Sequence, residues 1–248
     1  ILIDGTGAPV GITDVASRSL PGAAANAGGV SVRGDSITLR GAASISTSTY
    51  SGGDAGQVLV SGDTILVDGL DAPAGITGIF SQSNGGVSGN AGSVTVQGDR
   101  IEIRNGGAIG SNTDGSGDAG DITLGGAAGA PAAQVTLAGA ASRINSLSAG
   151  TGPDAGRAGS IGIAAGRLAL DDQAGILAST VDGAGGAVTL ETGTLTVAGG
   201  ARVSAETGMN ALAHCVEAAW SPTRTPEADA IALAGARRIY DALPAVVS

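Results

Sequence analysis

Lysine is missing from this chain of 248 residues, and histidine, cysteine, methionine, tryptophan and phenylalanine occur once each. Every shortage excludes something. Aromatic residues make up 2% of the chain, so the interior cannot rest on stacked rings and must come from small and β-branched side chains. One cysteine cannot close an intramolecular disulfide, and its scarcity fits either a cytosolic protein or a large bacterial exoprotein. All 12 bases are arginine, and they face 22 acids for a formal charge of −10. No basic stripe offsets that acidity, which argues against a nucleic-acid partner. No apolar run approaches the roughly 20 residues that cross a bilayer as a helix, so no membrane span is expected. The chain opens on Ile1 with no charged-then-apolar leader, and the expectation is that an N-terminal portion is missing.

What is abundant is glycine, 45 residues of it, set among alanine, serine, threonine and aliphatics. Charged residues stay at 14% and mean hydropathy is +0.28, the opposite of the signature of unfolded chains. The aliphatics recur with a long period. "ILIDGTGAPVGITDVASRS" from Ile1 returns as "ILVDGLDAPAGITGIFSQS" from Ile65, and "NAGGVSVRGDSITLR" from Asn26 returns as "NAGSVTVQGDRIEIR" from Asn90, both 64 residues apart. The period divides into units of 28 and 36, starting at Asn26, Asp54, Asn90 and Asp118, with degenerate returns at Arg157 and Ala184.

Each unit predicts three short strands. An Asx-Ala-Gly turn leads into an alternating strand (Val30/Val32, Val58/Val60, Val94/Val96, Ile122/Leu124). A Gly-Asp corner and a second strand follow (Ile37/Leu39, Ile65/Val67, Ile101/Ile103), then a glycine-rich bend and a Ser/Thr-rich third strand (Ile45, Ile79, Ile109). The longer unit carries "DGLDAPAG" between its second and third strands, expected as a projecting loop. Such units predict a right-handed parallel β-helix of about six rungs over residues 1–206, because one rung cannot bury its aliphatics alone while stacked rungs can. Gly28, Gly56, Gly92 and Gly120 are expected at φ > 0, with Asn26, Asp54, Asn90 and Asp118 bonding their own backbone at the corner. Calcium ligation by these Asx residues would need a tandem nine-residue repeat, and none is present. "STST" at 46–49 does not recur rung by rung and is expected as an ordinary outward strand.

Units such as "GNAGSVTVQGDRIEIRNGGAIGSNTDGSGDAGDITL" resemble the repeats of filamentous-haemagglutinin-type exoproteins, bacterial adhesins exported by two-partner secretion. The resemblance covers residues 1–206. It implies a β-helical shaft outside an outer membrane, an outer-membrane transporter as export partner, and a carbohydrate or protein ligand on a host or neighbouring cell. Carbohydrate-active β-helices set carboxylates beside arginine, lysine or histidine on one face; residues 1–206 contain no histidine or lysine, and their aspartates recur mostly at corners.

Residues 207–248 differ in style. "TGMNALAHCVEAAW" holds Met209, His214, Cys215 and Trp220, and "PEADAIALAGARRIYDALPAVV" starts a second helical pattern with Thr225 as N-cap and Pro226 in the first turn. Two short helices are therefore expected. "GMNALAHCVEA" and "ALAGARRIYDALPAVV" resemble the maleylacetate reductase branch of the iron-containing alcohol dehydrogenase superfamily over residues 207–247. Asn210 and His214 stand four apart, on one helical face, and His214 matches a metal ligand of that superfamily, whereas Asn210 stands where its metal-dependent members carry aspartate. A metal site needs three or four protein ligands, so this fragment implies no complete metal site, no bound cofactor and no catalytic residue of its own. Leu212, Val216, Trp220, Ile231, Ile239, Tyr240 and Leu243 could instead cap the last rung. The preferred account of position 207 is a junction of two unrelated coding segments, natural or an artefact of sequence assembly.

The sequence thus predicts a non-catalytic adhesive segment of a secreted surface protein. The competing expectation is a truncated NADH-dependent maleylacetate reductase behind a foreign β-helix.

Overall fold

A computed structural model describes residues 1–8, 13–72, 76–151 and 154–205. The expected helical pair, with Asn210 and His214, lies outside the described residues. Within them the chain is all-β, and its strands stack in three columns as a parallel solenoid. The first column holds β3 (Val30–Arg33), β6 (Val58–Ser61), β9 (Val94–Gln97), β12 (Ile122–Gly125) and the leading halves of β15 (Ile161–Asp171) and β17 (Val188–Val197). The second holds β1 (Leu2–Asp4), β4 (Ser36–Arg40), β7 (Thr64–Asp68), β10 (Arg100–Arg104), β13 (Ala132–Ala138) and the trailing halves of β15 and β17. The third holds β2 (Thr13–Ser19), β5 (Ala43–Thr49), β8 (Gly78–Ser83), β11 (Ala108–Thr113), β14 (Arg143–Ser148), β16 (Gly175–Thr180) and β18 (Arg202–Ala205). From β3 the chain returns to the first column at β6, β9, β12, β15 and β17, which makes about five turns.

Register follows the repeat. Val30 pairs with Val58 and Val58 with Val94, while Ile37, Ile65 and Ile101 form a second ladder and Ile45, Ile79 and Ile109 a third. Alternation sends these side chains inward from three directions, and from Ile37 to Ile176 most of them are fully buried in one continuous core. Each aliphatic lies on its counterparts one coil above and below, about 4.8 Å away, which fills the interior without aromatic rings.

The corners correct two expectations. Gly28, Gly56, Gly92 and Gly120 do not adopt positive φ. A methyl group at Gly92 would overlap the carbonyl oxygen of Gly56, and one at Gly120 that of Gly92. Glycine is required there because successive backbones approach too closely for a Cβ. Left-handed residues sit instead at the bend between the second and third columns, as Gly41 and Ala42 (φ 63° and 66°) and Asn105 and Gly106 (φ 53° and 85°).

The Asx residues likewise bond away from themselves. Asn26 Oδ1 accepts the Asp54 amide at 2.9 Å, Asp54 Oδ1 the Asn90 amide at 2.9 Å, Asn90 Oδ1 the Asp118 amide at 2.8 Å, and Asp118 Oδ1 the Arg157 amide at 2.7 Å. Every side chain ties its corner to the next coil. Neutral and acidic members alternate, so carboxylates stand two rungs apart and do not repel at contact.

The Gly-Asp corner between the first two columns is lost in the last coils. The 11-residue β15 runs through both columns as one strand, with Ala165 turned into the core at the bend. Of the "DGLDAPAG" stretch, expected as a projecting loop, residues 73–75 lie outside the described residues; Leu70 within it and Ile76 just after it are exposed.

Two substitutions test this packing. Ile101→Ala, in a fully buried ladder, should cost about 2–5 kcal/mol in urea unfolding. Gly92→Ala should lower the urea midpoint more than Ser31→Ala on the outer face, whose effect should stay within about 0.5 kcal/mol.

Candidate binding surface

The third column carries a feature that its composition hides. Thr47 and Thr49 were expected to face outward; both are fully buried, and Ser46 and Ser48 are nearly so. Thr47, Ser81, Ser111 and Ser146 form one inward file, two residues beyond Ile45, Ile79, Ile109 and Ile144 on the same face. The hydroxyls link coils. Ser111 Oγ accepts the Gly120 amide at 2.8 Å and donates to the Gly92 carbonyl of the preceding coil at 2.9 Å. Ser81 does the same with the Gly92 amide (2.7 Å) and the Gly56 carbonyl (2.9 Å), and Ser146 with the Gly159 amide (2.8 Å) and the Gly120 carbonyl (3.2 Å). The sequence signal was phase: these hydroxyls share the parity of the buried isoleucines. A second file, Thr49, Ser83, Thr113 and Ser148, is also buried, and the Ser83 hydroxyl has no hydrogen-bond partner among the described residues.

Charges gather at the end of the second column, where Asp4, Arg40, Asp68 and Arg104 follow one another in register. Arg40 Nη2 donates to Asp4 at 2.7 Å, and Arg104 donates to Asp68 through Nε at 2.9 Å and to Glu102 through Nη1 at 2.9 Å. The other Asp68 oxygen accepts Asn105 Nδ2 at 2.8 Å and the Leu70 amide at 3.0 Å. Burial pushes the Asp68 carboxyl up, but the hydrogen bonds from Asn105, Leu70 and Arg104 outweigh it and hold the group below the usual carboxylate range. Hydrogen bonding from Arg40 and Thr6 holds the half-exposed Asp4 well below that range. These pairs stitch adjacent coils; they are satisfied by one another.

The first column offers the open ground. Two shallow depressions lie along it, one of about 310 Å³ bordered by Ser31, Gln57, Leu59 and Thr95, the other of about 190 Å³ bordered by Thr123, Thr189 and Glu191. Their polar lining is hydroxyl, amide and a single carboxylate. Such groups can hydrogen-bond a polyol or a peptide, but no base stands beside a nucleophile. Among the described residues no three histidine, cysteine, aspartate or glutamate side chains converge as metal ligands, and no helix is long and apolar enough to cross a membrane.

No family model, no curated protein and no solved structure matches the chain.

Ser111→Ala leaves a half-buried amide and a half-buried carbonyl short of a partner and should cost about 1–3 kcal/mol in urea unfolding. For the depressed carboxylates Asp4 and Asp68, the stability they add is fully present above the ordinary carboxylate pKa of about 4 and is lost as pH falls through their lower folded values. Urea midpoints measured from neutral to acid should therefore drop below about pH 4, and Asp68→Asn should lower the neutral midpoint while flattening that drop.

Proposed function

We propose that this chain is a structural and adhesive segment of a secreted bacterial surface exoprotein, its coils wound as a right-handed β-helix and its solenoid without catalysis. The observation that carries the reading is where the polar side chains are spent. Asx, hydroxyl and ion-pair files hold coil to coil, and the outer face of the first column keeps hydroxyls and amides over shallow ground. That is the equipment of a rod that reaches and presents, with affinity spread along its length. The resemblance of the repeats to filamentous-haemagglutinin-type proteins supports export through an outer-membrane transporter and display at the cell surface. It also supports a carbohydrate or protein of a host or neighbouring cell as ligand.

Labelled protein applied to cultured cells and to immobilised glycans tests this. Thr95→Arg with Thr123→Arg, which fills the first-column face, should weaken capture by about tenfold while the β-rich circular dichroism spectrum is unchanged. Absence of capture by any cell or glycan would sink the adhesive reading. Loss of NADH absorbance on addition of maleylacetate would favour the truncated oxidoreductase, with Asn210 and His214 at its metal-ligand positions.

A further inference from the structure

Two Asn-Gly-Gly stretches occur in the chain, Asn84–Gly86 and Asn105–Gly107, and the structure treats them differently. An asparagine before glycine is open to attack on its side-chain amide by the next backbone nitrogen, because glycine presents no Cβ to obstruct ring closure. At Asn105 the reacting groups are held. Asn105 Nδ2 donates to Asp68 Oδ1 at 2.8 Å, and the attacking nitrogen, that of Gly106, donates to Ser142 Oγ at 3.0 Å. Closing the ring would break both bonds.

At Asn84 neither restraint exists. Its backbone amide donates to the Thr49 carbonyl at 2.9 Å, but among the described residues nothing hydrogen-bonds its carboxamide and nothing accepts the Gly85 amide. Gly85 and Gly86 are exposed at φ 81° and 69°, and a Cβ at either would meet nothing within 4 Å. The segment has room to bend into the attack geometry.

We propose that Asn84 is a site of spontaneous deamidation and isomerisation. The Gly85 nitrogen attacks Asn84 Cγ, the new N–Cγ bond closes a five-membered succinimide, and the Cγ–Nδ2 bond breaks. Ammonia leaves with the proton released by the Gly85 nitrogen. Water then adds at one of the two imide carbonyls and opens the ring to aspartate or isoaspartate; nothing is oxidised or reduced.

The product alters the stack. Asn84 and Asp114 occupy the same step in adjacent coils, their amides donating to Thr49 and Ser83 at 2.9 Å each. Conversion places a second carboxylate one rung, about 4.8 Å, from Asp114, where like charges oppose each other. Isoaspartate also lengthens the backbone of a segment whose Val87 carbonyl sits too close to Gly115 for a Cβ. This corner therefore loosens as the protein ages.

The whole chain, incubated for weeks at neutral pH and body temperature and then digested, reports the outcome by mass spectrometry. The Asn84 peptide should gain about one dalton and split into two isomers, at a rate at least about tenfold that of Asn105, two hydrogen bonds being absent at the faster site. Asn84→Gln should abolish that signal, and Ser142→Ala should speed conversion at Asn105 alone. An Asn84 that stays intact, or an Asn105 that converts as fast, overturns the proposal.

Discussion

Parallel stacking of coils at about 4.8 Å governs everything else in this molecule, because it sets each residue against its own counterpart one turn away. Aliphatic on aliphatic is favourable, and the Val, Ile and Leu ladders exploit it. Backbone on backbone is tolerable only without a Cβ, and so the Asx-Ala-Gly corner keeps its glycine in coil after coil. Charge on like charge is unfavourable. The two charged files answer this by alternation, Asn with Asp along one corner and Asp with Arg along another.

The buried serines and threonines follow from the same constraint. Where the chain leaves the third column for the next corner, glycine amides and carbonyls point inward with no strand to pair them. An aliphatic there would strand those groups, at a cost of the order of 1–3 kcal/mol each. A hydroxyl accepts from one glycine and donates to the glycine one coil back, as Ser81, Ser111 and Ser146 do. The interior is thus apolar along two columns and hydroxyl-lined at the end of the third.

Spacing made the three columns and their register legible in the sequence, since a repeat that returns every 28 or 36 residues fixes which valine lies on which. The physical role of the corners was not legible. A glycine required for positive φ and a glycine required for close approach look alike in one dimension, and only interatomic distance separates Gly92 from Gly106. An Asx that caps its own turn looks the same as one that caps its neighbour, and Asn90 proves to be the second kind. Polarity alone places serine and threonine outward, yet Thr47 and Ser81 keep strict phase with the buried Ile45 and Ile79. The candidate surface was the least legible part. Ser31 and Thr95 stand between paired valines at one repeat position, so alternation turns them outward, but their side chains differ from unit to unit and no motif marks them as a site.

A stack of this kind also shapes what function it can carry. Side chains on one outer face recur at fixed steps along the rod, so a ligand with its own linear repeat can be met many times over by weak groups such as hydroxyls and amides. Catalysis asks for the reverse: a few unlike groups converging on one point, with a base beside a nucleophile. In the charged file of the second column the register does something else: each charge meets its opposite on the next rung, as Arg104 meets Asp68. The same regularity that stabilises the coils sets outer side chains at fixed, repeated steps along the stack.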